Sequence, residues 1–432
     1  MFGRIKIGIM GTGRMAGIMA DTIKDVKGAV CYAVGSRSID TANSFASAHG
    51  IKKSYGSYAE LVSDPKIDLI YIATPHSEHF DNVKLALSAG KNVICEKAFM
   101  LNEKQAQEVF KIAEDNKLLL TEAIWTRYMP LRAKLTEVLA SKVIGEATML
   151  TANLGYNVVA KDRISKPELG GGALLDLGVY VLNFASMVFG NDVTDIASIC
   201  TFNENGVDLQ DSITLRYRDG RMAVLSATAL SVTDRAGVIY GTKGYIVVDN
   251  INNFEMITVY DNDHKKIASY NRPRQITGYE YEIEACLRAM NEKWIECPEM
   301  PHSESLKMLN MMDFIRKNQN IRFPGEDGAG FNSFVTTSAH VETSYEVQSG
   351  AANVGGLGSS GVSAESTSDV SASVEAASYA GVSAEATSDT DASVGTASDA
   401  GAEVEVTSDT GTGAEATSSF DTTTDSSTDE NM

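Results

Sequence analysis

The sequence predicts two folded domains of different class, an α/β domain with a doubly wound parallel sheet and an α+β domain with a mainly antiparallel, open-faced sheet. Up to about residue 123, short apolar segments alternate with helical ones, which is typical of a parallel sheet. After that, strand-like segments follow one another with little helix between them, and from about residue 328 the composition is of low complexity. We therefore predict domains over 1–123 and 124–327 and a disordered C-terminal tail over 328–432.

The first strand, Lys6 to Met10, runs into the spacing G-x-G-x-x-A at Gly11, Gly13 and Ala16. A helix and a second apolar strand over 29–34 follow. This is the context of a Rossmann-type dinucleotide-binding turn, where glycines admit a pyrophosphate and the N–H groups at the helix start hold it. A strand–turn–helix that binds no ligand is the alternative. The predicted contacts are Gly11, Thr12, Gly13, Arg14 and Met15.

The end of the second strand indicates which dinucleotide binds. An NAD site usually has an acidic residue there that bonds the ribose 2′-hydroxyl. This chain has Ser36, Arg37 and Ser38 instead, and no carboxylate before Asp40. A guanidinium and two hydroxyls suit a 2′-phosphate, so we predict NADP as the cofactor. The alternative is a solvated Arg37 in a loop.

Polar residues follow two of the later strands, which span 68–74 and 92–95: Thr74, Pro75, His76, His79, Glu96 and Lys97. Ligands of doubly wound sheets bind beyond the carboxyl ends of the strands, so we predict that these residues line the cofactor site. Two histidines without matching ligand spacing are weak evidence for a metal, and we predict none. The alternative for the histidines is a helix cap and a surface residue.

In the second domain, strand-like segments cover 146–156, 196–202, 212–218, 222–230, 238–248 and 256–260. One helix is predicted over 174–189, after three consecutive glycines, and two more near 280–294 and 304–318. A sheet with helices on one face leaves its other face uncovered. We therefore expect a homodimer formed sheet to sheet.

The formal charge of −20 belongs to the C-terminal part of the chain. From Gly325 onward there are 19 of the 57 acidic residues and no Lys or Arg, so residues 1–324 carry a net charge of −1. A nearly neutral body of this kind gives no indication of nucleic-acid binding. The five cysteines are odd in number and lack C-x-x-C spacing, which indicates reduced thiols in a cytoplasmic protein. No signal peptide and no continuous run of 18 apolar residues is evident, so we expect no membrane attachment.

The C-terminal segment repeats with a period of 20 over 361–380, 381–400 and 401–420. Such a period can indicate a solenoid. Its apolar residues are almost all Ala and Val, which bury too little surface to offset chain entropy, so we predict disorder.

Three features suggest the chemistry. Lys97 ends a strand, Asp176 and Tyr180 are four residues apart on one helix, and Trp125 and Arg127 lie at the junction of the domains. Hydride transfer at an alcohol or carbonyl needs a proton donor and acceptor at the oxygen. A phenol beside an ammonium group is suited to this, because the positive charge favours its ionisation. The alternatives are a solvated lysine and a surface Asp–Tyr pair.

The chain resembles the glucose–fructose oxidoreductase/inositol dehydrogenase (Gfo/Idh/MocA) family over about residues 3–324. The motifs that carry the resemblance are MGTGRMA, SRS, AGKNVICEK, EAIWTR and GGGALLDLGVYVLNFASMVFG. Within the family it is most similar to the dimeric dihydrodiol dehydrogenases, also described as NADP-dependent D-xylose dehydrogenases. The resemblance implies Tyr180 as the acid/base, Lys97 as its partner, Asp176 beside the substrate, and a homodimer.

Two departures bear on the substrate site. Ala98 stands where the family usually has a proline after a cis bond, so either the bond is trans and Lys97 is aimed differently, or packing holds a cis bond. Leu154 stands where the dihydrodiol branch has an aromatic residue, which leaves a sugar open as substrate. The predicted substrate-side residues are Trp125, Arg127, Leu154 and Asp176.

These observations predict an NADP-dependent oxidoreductase that acts on a cyclic diol or a sugar of the D-xylose type, a small-molecule substrate in either case. The alternatives are a keto-sugar reductase of the 1,5-anhydrofructose type and a non-catalytic NADP-binding regulator of transcription. Presence of both Lys97 and Tyr180 favours the enzyme.

Overall fold

A computed structural model describes residues 4–326. The first sheet has six parallel strands in the order β3-β2-β1-β4-β5-β6. Its strands are β1 (Ile5–Met10), β2 (Ala29–Gly35), β3 (Lys53–Tyr55), β4 (Leu69–Ile72), β5 (Asn92–Glu96) and β6 (Leu120–Ala123). Its helices are α1 (Arg14–Asp25), α2 (Ile39–His49), α3 (Tyr58–Ser63), α4 (His79–Ser88) and α5 (Glu103–Asn116). The predicted parallel sheet is confirmed.

The apolar runs of this sheet are buried because helices cover both of its faces. Ile7, Ile9 and Met10 of β1 are fully buried, and Ala16 of α1 packs against the strand without exposure. The strand order reverses between β1 and β4, the point beside which ligands of such sheets bind. All six strands are parallel, so their carboxyl ends lie at one edge.

The second sheet has eight strands in the order β14-β13-β12-β11-β7-β10-β9-β8. They are β7 (Ala147–Gly155), β8 (Val193–Phe202), β9 (Asp208–Tyr217), β10 (Met222–Thr228), β11 (Gly237–Gly241), β12 (Gly244–Asp249), β13 (Met256–Asp261) and β14 (Lys266–Asn271). Only β7 and β10 pair in parallel within this sheet. The mainly antiparallel prediction is confirmed. The single strand predicted over 238–248 is wrong, because the chain reverses at Thr242 and Lys243 into a hairpin.

The other helices are α6 (Pro130–Ala140), α7 (Asp162–Ser165), α8 (Val179–Phe189), α9 (Glu280–Glu292) and α10 (His302–Gln319). The helix predicted over 174–189 begins as a π-helical turn, Leu174–Gly178, before α8. The helical stretch Pro167–Phe189 is long and apolar enough to cross a membrane, but 89% of its most apolar window is buried inside the protein, as in a core helix. Helix α10 packs on α5 of the first domain, and the Arg316 guanidinium donates to Leu101 O in the segment between β5 and α5.

The outer face of the second sheet carries apolar side chains in register across three strands. Met222 of β10 pairs with Met149 of β7, which pairs with Tyr240 of β11. These three side chains are 41%, 38% and 39% exposed. The face is therefore open in the single chain, as predicted. The predicted tail over 328–432 lies outside the described residues.

Candidate active site

The glycine turn leaves space at the start of α1. Gly11 has φ +109°, and a Cβ there would lie 2.7 Å from Ala73 O, so the position requires glycine. A Cβ on Gly13 would meet no atom within 4 Å. No side chain caps α1, and its first turn contains no acidic residue. The backbone N–H groups there are thus available to an anion, with Thr12, Arg14 and Met15 beside them at the surface.

The Ser36–Ser38 segment follows β2 at the same edge of the sheet. Ser36 is buried, whereas Arg37 and Ser38 are exposed. Ser38 precedes α2 and makes no capping bond with its side chain. Burial raises the pKa of the neighbouring Tyr58, and the charge of Arg37 opposes that rise. Arg37 thus lies beside a half-buried aromatic ring, with its guanidinium open to solvent.

The two histidines after β4 hold the backbone around Lys97. The ring nitrogens of His76 lie 2.9 Å from Gly170 O and 3.2 Å from Lys97 O. Burial lowers the pKa of His76 to about 4, so the neutral ring donates to one of these carbonyls.

His79 is fully buried against backbone. Its Nδ1 lies 3.0 Å from Ala98 O, its Nε2 lies 3.0 Å from Thr74 O, and burial lowers its pKa. The surface alternative for His79 is therefore wrong. The ring joins the end of β4 to the turn after Lys97, which makes it a support of the site. Thr74 Oγ1 accepts from Asn82, and Pro75 is exposed where the 3₁₀ turn begins.

Lys97, Asp176 and Tyr180 meet at the carboxyl edge of the first sheet. The Lys97 ammonium donates to Asp176 O at 2.7 Å and to Asp176 Oδ1 at 3.0 Å. The same Nζ lies 4.9 Å from the centroid of the Tyr180 ring. The Lys97–Ala98 peptide bond is cis. The structure therefore brings together the three residues predicted to carry the chemistry.

The phenol of Tyr180 is in its protonated form in this arrangement. Burial raises its pKa well above the ordinary value, and Tyr279, Glu96 and Asp176 raise it further. Tyr180 consequently holds a proton at neutral pH.

Asp176 is the only carboxylate that bonds Lys97 among the described residues, and a second cation reaches it. Arg163 Nη1 donates to Asp176 Oδ1 at 2.5 Å. Burial opposes ionisation of Asp176, but the charges of Lys97 and Arg163 outweigh it and lower the pKa. Asp176 is therefore an anion held between two cations. Sequence reasoning missed Arg163, which is distant from every motif.

Glu96 turns inward from the end of β5. Its carboxyl group accepts a hydrogen bond from the Tyr71 hydroxyl, and its residue is 7% exposed. Burial raises the pKa of Glu96 to about 7, while the Tyr71 bond and Lys97 oppose the rise. The carboxyl group next to Lys97 in the chain is therefore turned into the core and bonded to buried Tyr71.

Trp125 forms one wall of the site together with a residue that sequence reasoning missed. Its indole stacks on the Tyr279 ring with centroids 4.2 Å apart and an 11° angle between the planes. Gly278, with φ +99°, permits this approach, since a Cβ there would lie 2.8 Å from the indole. The Gly-Tyr pair before α9 is the sequence signal that was available.

Arg127 is bonded to side chains outside this cluster, so the structure does not bring it together with the other predicted substrate residues. The guanidinium is 4% exposed and donates to Asn183 Oδ1, Ser186 Oγ and Glu304 Oε2. It joins the segment after β6 to α8 and α10. The prediction came from the likeness of EAIWTR to a motif of the site. In the structure, Trp125 stacks on Tyr279, whereas Arg127 bonds side chains of α8 and α10.

Leu154 is the second correction among the predicted substrate residues. Its side chain is fully buried in β7, opposite Ala227 of β10. It belongs to the core of the second domain and offers no open surface to a ligand. Residues 4–326 contain no group of three His, Cys, Asp or Glu side chains placed to hold a metal ion.

Comparison with known protein families gives two matches. The model of the Gfo/Idh/MocA oxidoreductase family with an NAD-binding Rossmann fold matches residues 5–123, and the C-terminal domain model of the same family matches 133–247.

Curated relatives share the name trans-1,2-dihydrobenzene-1,2-diol dehydrogenase. The one from Xenopus laevis is 33% identical over 328 residues, covering 74% of this chain and 99% of the relative. The one from Homo sapiens is 32% identical over 298 residues, covering 68% and 89%.

Solved structures show the same fold at lower identity. A 3-ketoreductase from Actinomadura kijaniata, in complex with TDP-benzene and NADP, matches with TM-score 0.65 and 22% identity over 73% of this chain and 98% of that one. An aldose-aldose oxidoreductase from Caulobacter crescentus, complexed with glycerol, matches with TM-score 0.66 and 17% identity over 73% and 98%.

Proposed function

We propose that this chain, which belongs to the Gfo/Idh/MocA family of oxidoreductases, is an NADP-dependent dehydrogenase of a sugar or cyclic diol. That it is an NAD(P)-binding oxidoreductase follows from its membership and its dehydrogenase relatives. The finer proposal rests on one observation above all. Lys97, Asp176 and Tyr180 meet at the edge of the sheet that also carries the glycine turn.

The residues present fit NADP. The space at Gly13 and the uncapped start of α1 suit a pyrophosphate. Arg37 and Ser38 are exposed at the end of β2, where a 2′-phosphate would lie. When bound, NADP supplies a nicotinamide that accepts or gives a hydride.

Tyr180 handles the proton in this proposal. In the reducing direction the phenol gives its proton to the carbonyl oxygen of the substrate as the carbonyl carbon gains a hydride. In the oxidising direction the phenolate takes the hydroxyl proton back. The raised pKa makes Tyr180 an acid that is loaded at neutral pH.

Lys97 stabilises the negative charge that develops at Tyr180, and Asp176 positions Lys97. The Lys97 ammonium lies over the ring that becomes anionic, so it lowers the cost of losing the proton. Asp176 holds the ammonium in place by accepting two hydrogen bonds from it, one at its backbone carbonyl oxygen and one at its side-chain carboxylate. The arrangement is therefore preorganised for proton transfer at one substrate oxygen.

The substrate class is a sugar or a cyclic diol. The relatives' name points to the diol, whereas the Trp125–Tyr279 wall and the charged Asp176 and Arg163 suit a ring that carries hydroxyls. A keto-sugar reductase is the second candidate, because the protonated Tyr180 favours reduction.

An absorbance screen at the NADPH band tests the function. NADP with a panel of aldoses, inositols and cyclic diols covers oxidation, and NADPH with keto-sugars covers reduction. We expect turnover with at least one member and a preference for NADP over NAD. Binding of NADP without turnover across both panels would support the non-catalytic regulator instead.

We also propose a homodimer through the outer face of the second sheet, and a cytoplasmic location. The row of Met222, Met149 and Tyr240 provides the apolar contact for a second copy. All five cysteines are free thiols, as in a reducing compartment. Light scattering at micromolar concentration tests the dimer, and Met149→Glu should convert it to a monomer.

A further inference from the structure

Arg163 is the charged residue of the site that faces solvent. It lies in the short helix α7, and its side chain is 45% exposed. The Lys97 and Asp176 side chains of the same ion-pair chain are 13% and 6% exposed. The Arg163 guanidinium is therefore the part of this ion-pair chain that is most open to a molecule in solvent.

The segment that carries Arg163 is fastened to the site at several points. Gly171 N donates to Lys166 O, and a Cβ on Gly171 would lie 2.5 Å from Ile164 O. Asn203 donates to Ser165 O at 3.0 Å. At its far end, Gly170 O lies 2.9 Å from the ring of His76. The position of Arg163 is thus set by packing as well as by its ion pair.

The bond to Asp176 uses one nitrogen of the guanidinium. Arg163 Nη1 donates to Asp176 Oδ1, and no other hydrogen bond of the Arg163 side chain occurs among the described residues. A guanidinium has five N–H donors and no acceptor. Its remaining donors at this half-exposed position therefore need oxygen atoms, from water or from a substrate.

We propose that Arg163 determines substrate specificity by donating hydrogen bonds to the hydroxyl oxygens of a sugar while it stays paired with Asp176. The inference rests on the proposed function and narrows its substrate to oxygen-rich rings. A sugar presents oxygens at successive carbons, so it satisfies donors that a dihydrodiol, with hydroxyls on only two carbons, leaves unpaired when it displaces water. Donors that the bound ring shields from water and leaves unpaired penalise the poorer substrate.

The test compares Arg163→Met with Arg163→Lys and with Lys166→Met. Lys166 lies three residues from Arg163 in the chain and pairs only with the exposed Asp162 among the described residues. Lys166→Met is therefore the control, because it removes one positive charge from the same segment without touching the ion pair with Asp176. The substrates are D-xylose and the trans-dihydrodiol of benzene, each with NADP. kcat and KM are measured separately, and NADPH binding is followed by fluorescence.

For Arg163→Met we expect kcat/KM for xylose to fall about 10- to 100-fold, as for a lost hydrogen bond from a charged group. The loss should lie mainly in KM, kcat/KM for the dihydrodiol should change less than about threefold, and Arg163→Lys should recover part of the xylose activity. Lys166→Met should match the wild type. Equal losses for both substrates, confined to kcat, would overturn the inference and leave Arg163 as a support for Asp176.

Failure of the proposed function would look different. If the wild type oxidises neither substrate, the proposed function fails for this class. Calorimetric titration of xylose into the NADP complex then decides the inference alone. Weaker binding in Arg163→Met than in Lys166→Met supports it, and unchanged binding overturns it.

Discussion

Replacing Arg127 by Met separates a structural role from a substrate role, because the guanidinium is buried and hydrogen-bonded to other protein side chains. Arg127 is 4% exposed and donates to Asn183, Ser186 and Glu304. Removing one partner of a buried ion pair costs about 3–5 kcal/mol, and here Asn191, Ser186 and Lys307 would still bond Glu304. One kcal/mol shifts the Tm of a body this large by about 2 °C, so the loss corresponds to roughly 6–10 °C.

The assay is thermal unfolding with KM and NADPH affinity measured beside it. Lys307→Met is the matched control, because Lys307 also pairs with Glu304 but its side chain is 51% exposed. An ion pair at such an exposed position contributes about 0–1 kcal/mol. We expect Arg127→Met to lose stability and to keep its KM. A tenfold rise in KM at unchanged Tm would refute the reasoning and restore Arg127 to the substrate site.

The pH dependence of stability gives a second readout of the same contact. Burial raises the pKa of Glu304, but Asn191, Arg127 and Ser186 outweigh it and lower the pKa to about 2. A depressed folded pKa contributes stability that is present above the ordinary value of 4.5 and is lost as pH falls toward 2. Arg127→Met should therefore show a smaller loss of stability over that interval than the wild type does.

Two further predictions concern the cofactor and the acid. Arg37→Ala should weaken NADP binding by about 1.5–3 kcal/mol, as for a hydrogen bond to a charged group, and leave NAD binding nearly unchanged; equal losses in fluorescence titrations would show that Arg37 does not contact the 2′-phosphate. Tyr180→Phe should abolish most turnover at unchanged NADPH affinity, with Tyr217→Phe as control because that hydroxyl is buried and has no hydrogen-bond partner within residues 4–326; near wild-type turnover in Tyr180→Phe would exclude it as the acid.

Local patterns were sufficient for the parallel sheet and for the chemical triplet. The alternation of strands and helices predicted the first domain, and Lys97, Asp176 and Tyr180 meet as expected. The hairpin at Thr242 and Lys243 was missed because the two short apolar runs on either side of residues 241–244 were taken as one strand, although Thr-Lys between two glycines is a turn signal.

The misplaced site residues have a different cause. Arg127 lies two residues from Trp125, and spacing alone does not tell which side chain reaches the ligand and which one reaches α10. Arg163 and Tyr279 come from segments that only the tertiary fold brings to the site. Leu154 was assigned by analogy, and its burial depends on the pairing of β7 with β10. Contacts between distant segments were therefore beyond the reach of sequence patterns.

Glu96 provides a test of whether the site is maintained at a cost to stability. Burial raises its pKa from 4.5 to about 7, although the Tyr71 hydroxyl and Lys97 oppose the rise. For an acid whose folded pKa is raised, the folded state holds more protons than the unfolded state between these two values. Stability then falls as pH rises from about 4.5 to about 7 and stays lower above it.

Glu96→Gln removes that titration while its side-chain oxygen can still accept from Tyr71. We expect the variant to gain Tm relative to the wild type at pH 8 and to lose the gain at pH 4.5. Burial also raises the pKa of Glu282, and Glu282→Gln measures the separate contribution of that residue to the pH dependence of stability. If Glu96→Gln melts below the wild type at pH 8, the ionised carboxylate stabilises the fold, and its hydrogen bond and Lys97 together outweigh its desolvation.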